Sequence, residues 1–349
     1  MKKLSLYLVL SLLLVTVCAS AQRKFSVYAV GFYNQENLFD TCHDAGKNDS
    51  EFLPTGSYRW NGLKYTHKLR NMARALADMG TDKLPGVGCA VIGLSEVENS
   101  KVLDDLTAQE PLRARGYKYV HIEGPDVRGI DCAMLYNPAL FTVKDTKLVP
   151  YVPAASMKSD YKTRGFLTVS GEMAGEPVAV IVCHWPSRFA NSPYREHAAA
   201  QVKVIKDSLL KANPAMKVMV MGDLNDDPTN KSVKDVLGAT GDVKKVKEGM
   251  MYNPWYNLLV KEGTGTLSYQ GSWNLFDQIL LTPNMVNTDG KKDFSTLKYW
   301  TRQIFRRDYL MNNEGRYKGT PKRTHASGIW LDGYSDHLPV VVYLLKEQK

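Results

Sequence analysis

Six places in the chain set a carboxylate, an amide or an imidazole against the end of a short apolar run. Asn34 follows Phe32-Tyr33, Glu96 follows Ile92-Gly93-Leu94, and His184 follows Ile181-Val182-Cys183. Asp223 and Asn225 stand two apart behind Val220-Met221, Asp277 sits within Leu275-Phe276-Asp277-Gln278-Ile279, and Asp336-His337 precede Leu338-Pro339-Val340. Oxygen donors with imidazoles and no thiolate pair favour a hard divalent ion, Mg²⁺, Mn²⁺ or Ca²⁺, over zinc. There is no serine-nucleophile motif and no Cys-His pair to suggest covalent catalysis. Each residue alone has a plainer explanation: an Asp or Glu after a strand is usually a turn residue or a helix cap. Gly222-Asp223-Leu224-Asn225-Asp226-Asp227-Pro228 resists it more, although an Asx turn remains open. Ser335-Asp336-His337 resists it too, because a charged pair abutting a buried strand must be hydrogen-bonded or metal-bound. The remaining histidines, His43, His67, His121, His197 and His325, read as structural or solvated.

Positioning such residues requires strands that end together. Phe25–Tyr33 reads as a strand that breaks at the polar Asn34-Gln35-Glu36-Asn37. Further strands are expected at 89–94, 117–122, 132–136, 166–169, 178–183, 218–221, 276–281 and 338–344. Leu69, Met72, Ala73, Leu76 and Met79 recur at helical spacing and stop at Gly80, so 63–79 is an amphipathic helix, and a second helix runs from Ser192 or Pro193 to about Lys211. Several strands are too apolar to be exposed on either face, which implies sheets covered by helices and an α/β class. Loops at strand ends of such sheets are the usual place for a site. No repeat of fixed period is visible.

The composition fits this picture. Hydrophobic residues at 44% and charged residues at 23% exclude a disordered, collagen-like or coiled-coil chain, and 349 residues suit one large α/β unit or two small ones. Lys2-Lys3, the apolar Leu4–Val17 and Ala19-Ser20-Ala21 read as a signal peptide over 1–21, hence export to the periplasm or beyond. Lipidation at Cys18 is the alternative, with bulky Val17 against it. No later run is long and apolar enough to span a membrane. Cys42, Cys89, Cys132 and Cys183 form no C-x-x-C pair, and the last three lie in or beside β-like runs as buried small hydrophobes. The net charge of +9 is a mild basic bias compatible with an anionic substrate. Much of it falls between Arg302 and His325, with seven basic residues against two acidic ones among Phe305, Tyr309 and Tyr317. That segment, the start of a basic insertion at about 302–334, is either a solvated excursion or a contact surface for a polyanion.

Taken together and in this order, Asn34, Glu96, His184, Gly222-Asp223-Leu224-Asn225, Phe276-Asp277 and Ser335-Asp336-His337 resemble the endonuclease/exonuclease/phosphatase superfamily of DNase I-like phosphohydrolases. The resemblance spans essentially the whole chain after the leader. It implies a single domain over 22–349, a four-layer α/β sandwich of two packed mixed β-sheets flanked by helices. It also implies that Glu96 holds a divalent ion, Mg²⁺ first, with Asn34 and Asp336 contributing. By the same resemblance Asp223 orients or deprotonates the attacking water, Asn225 binds a phosphoryl oxygen, and His337 acts on the scissile phosphate with Asp277 orienting it. His184 matches a second histidine of DNase I-like and sphingomyelinase-like members, with Glu123 as candidate for its carboxylate partner. Arg164 resembles a phosphate-contacting arginine, and Arg128 and Arg188 are looser matches of the same kind. Asn37 and Asp40 read as loop-shaping residues.

The implied activity is metal-dependent phosphodiester hydrolysis, with nucleic acid as first-choice substrate and no obligate protein partner. Inositol phosphates or phospholipid headgroups are the enzymatic alternative, and a catalytically silent polyanion-binding scaffold is the other class considered.

Overall fold

In this computed structural model, which describes residues 23–348, the apolar runs form the inner strands of two large sheets. In chain order the strands are β1 (Phe25–Leu38), β2 (Val91–Val97), β3 (Lys118–His121), β4 (Asp131–Tyr136), β5 (Phe141–Val149), β6 (Phe166–Met173), β7 (Glu176–His184) and β8 (Lys217–Asp223). They continue with the short β9 (Ala239–Thr240) and β10 (Met251–Tyr252), β11 (Leu267–Tyr269), β12 (Ser272–Asn274), β13 (Asp277–Leu281), β14 (Lys298–Ile304), β15 (His325–Ala326), β16 (Ile329–Trp330) and β17 (Val340–Glu347). One sheet has the order β14-β17-β1-β2-β4-β3 and the other β5-β6-β7-β8-β13-β10-β9. Both are mixed: β1 and β2 run parallel, as do β7 and β8, while β17 and β13 return antiparallel to β1 and β8.

Helices cover the outer faces. Helix α1 (Gly62–Asp78) begins where Asn61 accepts a hydrogen bond from the Lys64 N–H, and buries Leu69, Met72, Ala73 and Leu76 against the first sheet. It packs there with α2 (Ser100–Thr107) and α3 (Glu110–Arg113). Helix α4 (Ser192–Ala212) has Pro193 in its first turn and lays Ala198, Ala199 and Val202 on the second sheet. Between the sheets lies the central core of Val30, Phe32, Met134, Val180, Met221, Val342 and their neighbours. The four-layer sandwich of the α/β class follows directly. At Gly93 an added Cβ would come within 2.6 Å of the Met221 sulfur, so glycine lets the sheets close three residues ahead of Glu96 on the same strand.

This topology gathers one edge. The C-terminal ends of parallel β1 and β2, and of parallel β7 and β8, point the same way. The antiparallel β13 starts where β8 finishes and β17 starts opposite Phe32, two residues ahead of Asn34, as the pairs Asp277↔Asp223 and Phe32↔Val340 record, while His184↔Asp223 ends β7 and β8 together.

The structure departs from the expected elements in three places. Strand β1 does not break at Asn34 but continues to Leu38, because Glu36 and Asn37 take left-handed φ values of 45° and 54° and bulge within the ladder. Arg302–Ile304, expected to open an irregular segment, instead completes the edge strand β14 on β17. The rest of 302–334 is held by turns, the Met311↔Pro321 bridge and the β15–β16 hairpin. Strand β5, overlooked in the sequence, is an edge strand with mostly exposed or half-buried residues. Residues 1–21, including Cys18, lie outside the described residues, and no described helix is long and apolar enough to cross a membrane. Cys89, Cys132 and Cys183 are buried free thiols, and Cys42 is exposed.

Candidate active site

Asn34 sits at the bulge of β1, where its Oδ1 accepts the Glu36 N–H at 2.8 Å and fixes the left-handed turn. That orientation aims its Nδ2 at two carboxylates, Asp223 Oδ2 at 3.0 Å and Glu96 Oε1 at 3.4 Å. Glu96 itself adopts φ 60° near the end of β2, which turns its side chain toward Asn34, and it also accepts the Asn37 N–H at 2.9 Å. A non-glycine residue held there is a cost that recurs at working sites. His184, the last residue of β7, closes the group, with Nε2 at 3.8 Å from Glu96 and 3.6 Å from Asp223.

Asp223 divides its two oxygens. Oδ1 accepts the Asn225 N–H at 2.9 Å, which is the Asx turn the sequence left open, while Oδ2 faces His184 and, at 3.7 Å, His337 Nε2. His337 Nδ1 lies 2.7 Å from Asp277 Oδ2 in a fully buried pair. Ser335 explains its place in the Ser335-Asp336-His337 motif, because its Oγ donates to the Asn34 carbonyl at 2.8 Å and accepts the His337 N–H at 3.1 Å. Asp336 brings an oxygen to 4.0 Å from His337 Nε2. Seven of the expected residues, Asn34, Glu96, His184, Asp223, Asp277, Asp336 and His337, are thus linked by contacts of 4.0 Å or less. Asn225 adjoins them, its Nδ2 donating to the Trp185 carbonyl at 3.0 Å.

The two histidines are driven in opposite directions. Burial lowers His184 well below the usual imidazole range, and the Arg164 and Arg128 charges push the same way, so it is neutral. Burial would also lower His337, but the Asp277 and Asp223 carboxylates outweigh it and hold it well above that range as an imidazolium. Asp223 is pushed up to about 6, chiefly by burial, against the opposing pull of His337.

The arginines occupy different stations. Arg164 is buried with its guanidinium committed to Asp126 at 3.1 Å and the Trp185 carbonyl at 2.9 Å, so in this arrangement it buttresses the His184 side. Arg128 stands half-exposed beside Asp126 at 3.9 Å. Arg188 straps the Asn225 carbonyl and Asp227, each at 3.1 Å, over the Phe276 ring. One expectation fails outright: Glu123 is not the partner of His184. It lies beyond the end of β3 with an exposed side chain paired to Lys47 at 3.6 Å, and His184 Nδ1 is buried with no hydrogen-bond partner. The sequence also gave no hint of Asp126, whose partner Arg164 is 38 residues away, or of the Arg323 clamp. Arg323 bonds both Glu36 and Asp336 at 3.1 Å.

A divalent ion suits this donor set. Among the described residues no lysine or arginine pairs with Glu96 or Asp223 within 4.0 Å; the two carboxylates share the Asn34 amide and face the neutral His184 ring, and only Asp223 also meets the His337 imidazolium, at 3.7 Å. Asp223, Asp277 and His337 can also each bring one donor within 4.8 Å of the others. Those atoms, however, already hold one another through the 2.7 Å His337–Asp277 hydrogen bond, and a metal there would need the imidazole that both carboxylates keep charged.

Residues 29–346 match the family model described as Endonuclease/Exonuclease/phosphatase family. No curated protein matches the chain. Among solved structures, an endonuclease/exonuclease/phosphatase family protein from Bacteroides thetaiotaomicron is similar at 15% identity, with 93% of this chain and 97% of that one covered and a TM-score of 0.56. A mannosyl-6-phosphatase from the same organism is similar at 16% identity, with 91% and 99% covered and a TM-score of 0.56. TDP2 of D. rerio, solved with a single-strand DNA product, is similar at 13% identity, with 91% and 99% covered and a TM-score of 0.52. At these identities the solved structures establish the DNase I-like fold alone.

Proposed function

The chain belongs to the endonuclease/exonuclease/phosphatase family of divalent-metal-dependent phosphoester hydrolases, and from that premise we propose that it hydrolyses phosphodiesters with Asp223, His337 and Asp277 as its acid–base group. The observation that carries this is the file in which His337 stands between two carboxylates, its Nε2 3.7 Å from Asp223 Oδ2 and its Nδ1 hydrogen-bonded to Asp277 Oδ2 at 2.7 Å. Glu96, with Asn34 and Asp336, is the set that would hold the ion, Mg²⁺ first, with Mn²⁺ or Ca²⁺ as alternatives. Bound there, the ion would supply neutralisation of phosphoryl charge and a Lewis acid. Asp223, pushed up to about 6, is basic enough to take a proton from an aligned water while remaining mostly ionised at neutral pH. His337, kept as an imidazolium by two carboxylates, is placed to neutralise and protonate the departing oxygen. Asn225 has a second amide hydrogen to offer a phosphoryl oxygen beyond the one given to Trp185. His184, neutral, adds a polar group beside Glu96 without competing as a cation.

Both sheets contribute to this set, so we treat residues 22–349 as one working domain. We further propose that it works after export, which N-terminal sequencing of the secreted or periplasmic protein would check by a start at Gln22. The catalytic reading is tested with bis-p-nitrophenyl phosphate. Hydrolysis with Mg²⁺ or Mn²⁺, abolished by EDTA and by His337→Ala or Asp223→Asn, is the expected result. Full turnover in excess chelator would overturn it. Release of phosphate from mannose 6-phosphate or an inositol phosphate, with the diester untouched, would move the assignment to a monoesterase.

A further inference from the structure

Asp336 opens onto a groove of about 530 Å³ that the proposed chemistry leaves unexplained. One wall is the β11–β12 hairpin and the other is the segment around Arg316 to Arg323. Three tyrosines line it, Tyr58, Tyr269 and Tyr317, together with Arg316 and Arg323. Tyr269 and Tyr317 are 64% and 54% exposed. A single exposed aromatic is ordinary, but three tyrosines and two arginines lining one groove beside the candidate site are the composition of a ligand-binding surface.

The hairpin is built to hold Tyr269 still with respect to the chemistry. Gln270 and Gly271 both take positive φ, 48° and 80°, the tight turn whose twist matches the flanking strands. Leu267 bridges to His337, the Leu338 N–H donates to the Thr266 carbonyl at 2.8 Å, and the Asp277 N–H donates to Thr266 Oγ1 at 3.3 Å. The strand that presents Tyr269 is therefore hydrogen-bonded to the His337–Asp277 pair. On the opposite wall, Thr320 returns two hydrogen bonds to the Tyr317 carbonyl, and the Arg316 guanidinium lies 5.7 Å from the Tyr317 ring.

Resting on the phosphodiesterase reading, we propose that this groove is a stacking subsite for unpaired nucleobases next to the scissile phosphate, so that the substrate is single-stranded nucleic acid. Every base has a π face, so aromatic platforms beside cationic groups take any unpaired strand. Bases in a duplex already stack on one another and do not offer those faces. An inositol ring has no π face, and Arg316, Arg323 and Asp336 in the groove would set charges against an acyl chain.

The test reads binding apart from turnover. Fluorescence anisotropy of a labelled oligothymidylate of about ten nucleotides, a length within the usual range for such grooves, is measured on the metal-free protein in EDTA. A duplex of the same length is the comparison. The expected result is tighter binding of the single strand, weakened about tenfold by Tyr269→Ala and by Tyr317→Ala and retained by Tyr269→Phe. With Mg²⁺, both alanine variants should raise KM for the oligonucleotide and leave bis-p-nitrophenyl phosphate turnover at the wild-type rate. Unchanged anisotropy in both alanine variants, equal binding of duplex and single strand, or displacement of the strand by an inositol phosphate at equal concentration would overturn the proposal. Wild-type protein inert toward bis-p-nitrophenyl phosphate would count against the phosphodiesterase reading instead, because the anisotropy is read without catalysis.

Discussion

Replacing Lys68 with methionine tests whether the candidate ligands are held by a buried charge network under the site. Lys68 belongs to α1 yet is only 1% exposed, and its ammonium donates to Thr324 Oγ1 at 2.6 Å and to the Tyr334 carbonyl. Thr324 in turn donates its N–H to Glu36 at 2.6 Å, and Arg323 spans Glu36 and Asp336. Burial brings Lys68 down to about 8, opposed by Glu36, Asp336 and Glu96 and reinforced by Arg323. Burial raises Glu36 to about 7, with Asp336 adding to it and Lys68, Arg323 and the Thr324 N–H opposing. Between those two values both groups carry charge and each supports the other.

The substitution removes two charge-assisted hydrogen bonds, worth about 1.5–3 kcal/mol each, and leaves Arg323 as the cation beside Glu36, with the Thr324 N–H as its other donor. Relief of the lysine's desolvation offsets part of this, and breaking one side of a buried ion network costs roughly 3–5 kcal/mol net. About 3 kcal/mol at pH 7.5 is the expected loss. Its pH dependence has a definite sign. A carboxyl raised in the fold is protonated there below about 7 while the unfolded chain is not, so at pH 6 Glu36 no longer needs the cation and the penalty shrinks. Above about 8 the wild-type lysine is itself neutral, and the penalty shrinks again. Urea unfolding followed by tryptophan fluorescence at pH 6, 7.5 and 9.5 reads all three points. A loss below about 1 kcal/mol at pH 7.5, the size of an exposed ion pair, or an equal loss at every pH, refutes the network.

Asp277→Asn removes the first of the charges that hold His337 protonated; the basic limb of the pH–rate profile should move toward acid and kcat/KM should fall about 10²–10⁴-fold, whereas an unmoved limb would strip His337 of its role as the acid. Gly222→Ala would place a Cβ 2.1 Å from the Cys183 carbonyl oxygen, between paired β7 and β8. A thermal midpoint lowered by the equivalent of about 1–3 kcal/mol is expected, and an unaltered midpoint would mean the two strands can part there freely.

The strands that carry the site were readable because they are buried on both faces. Ile181-Val182-Cys183, Val220-Met221 and Leu338–Leu344 could hardly be anything but inner strands, and a polar residue at the end of an inner strand is conspicuous. Strand β14, Lys-Tyr-Trp-Thr-Arg-Gln-Ile, was not legible because an edge strand needs no apolar run, only a neighbour with free hydrogen-bonding groups. Lys68 was illegible for a different reason. It neighbours the apolar face of α1 in the helical pattern, where a lysine normally reaches solvent, and its partners Thr324 and Tyr334 are more than 250 residues away. Arg164 was singled out by the family resemblance, but Asp126, which captures it, has no feature that separates it from any loop aspartate. Glu123 was chosen by its nearness to a strand end, but β3 is the edge strand of one sheet while His184 ends β7 in the other, and Glu123 turns outward to Lys47.

The opposite charge states of the two histidines follow from which layer each side chain meets. His184 ends β7, whose neighbour β6 begins two residues after Arg164, so the cation of that sheet lies beside it and no carboxylate reaches its Nδ1. His337 precedes β17 in the other sheet but leans across the gap to Asp277 at the start of β13 and Asp223 at the end of β8. The imidazolium is therefore created by the packing of one sheet on the other, and neither sheet alone would hold it. A phosphodiester seated between the two would meet a neutral donor on one side and a proton source on the other. A substrate would meet that asymmetry on arrival, and the asymmetry would disappear if β13 slipped by one residue against β8, since such a register slip turns Asp277 to the opposite face of its sheet.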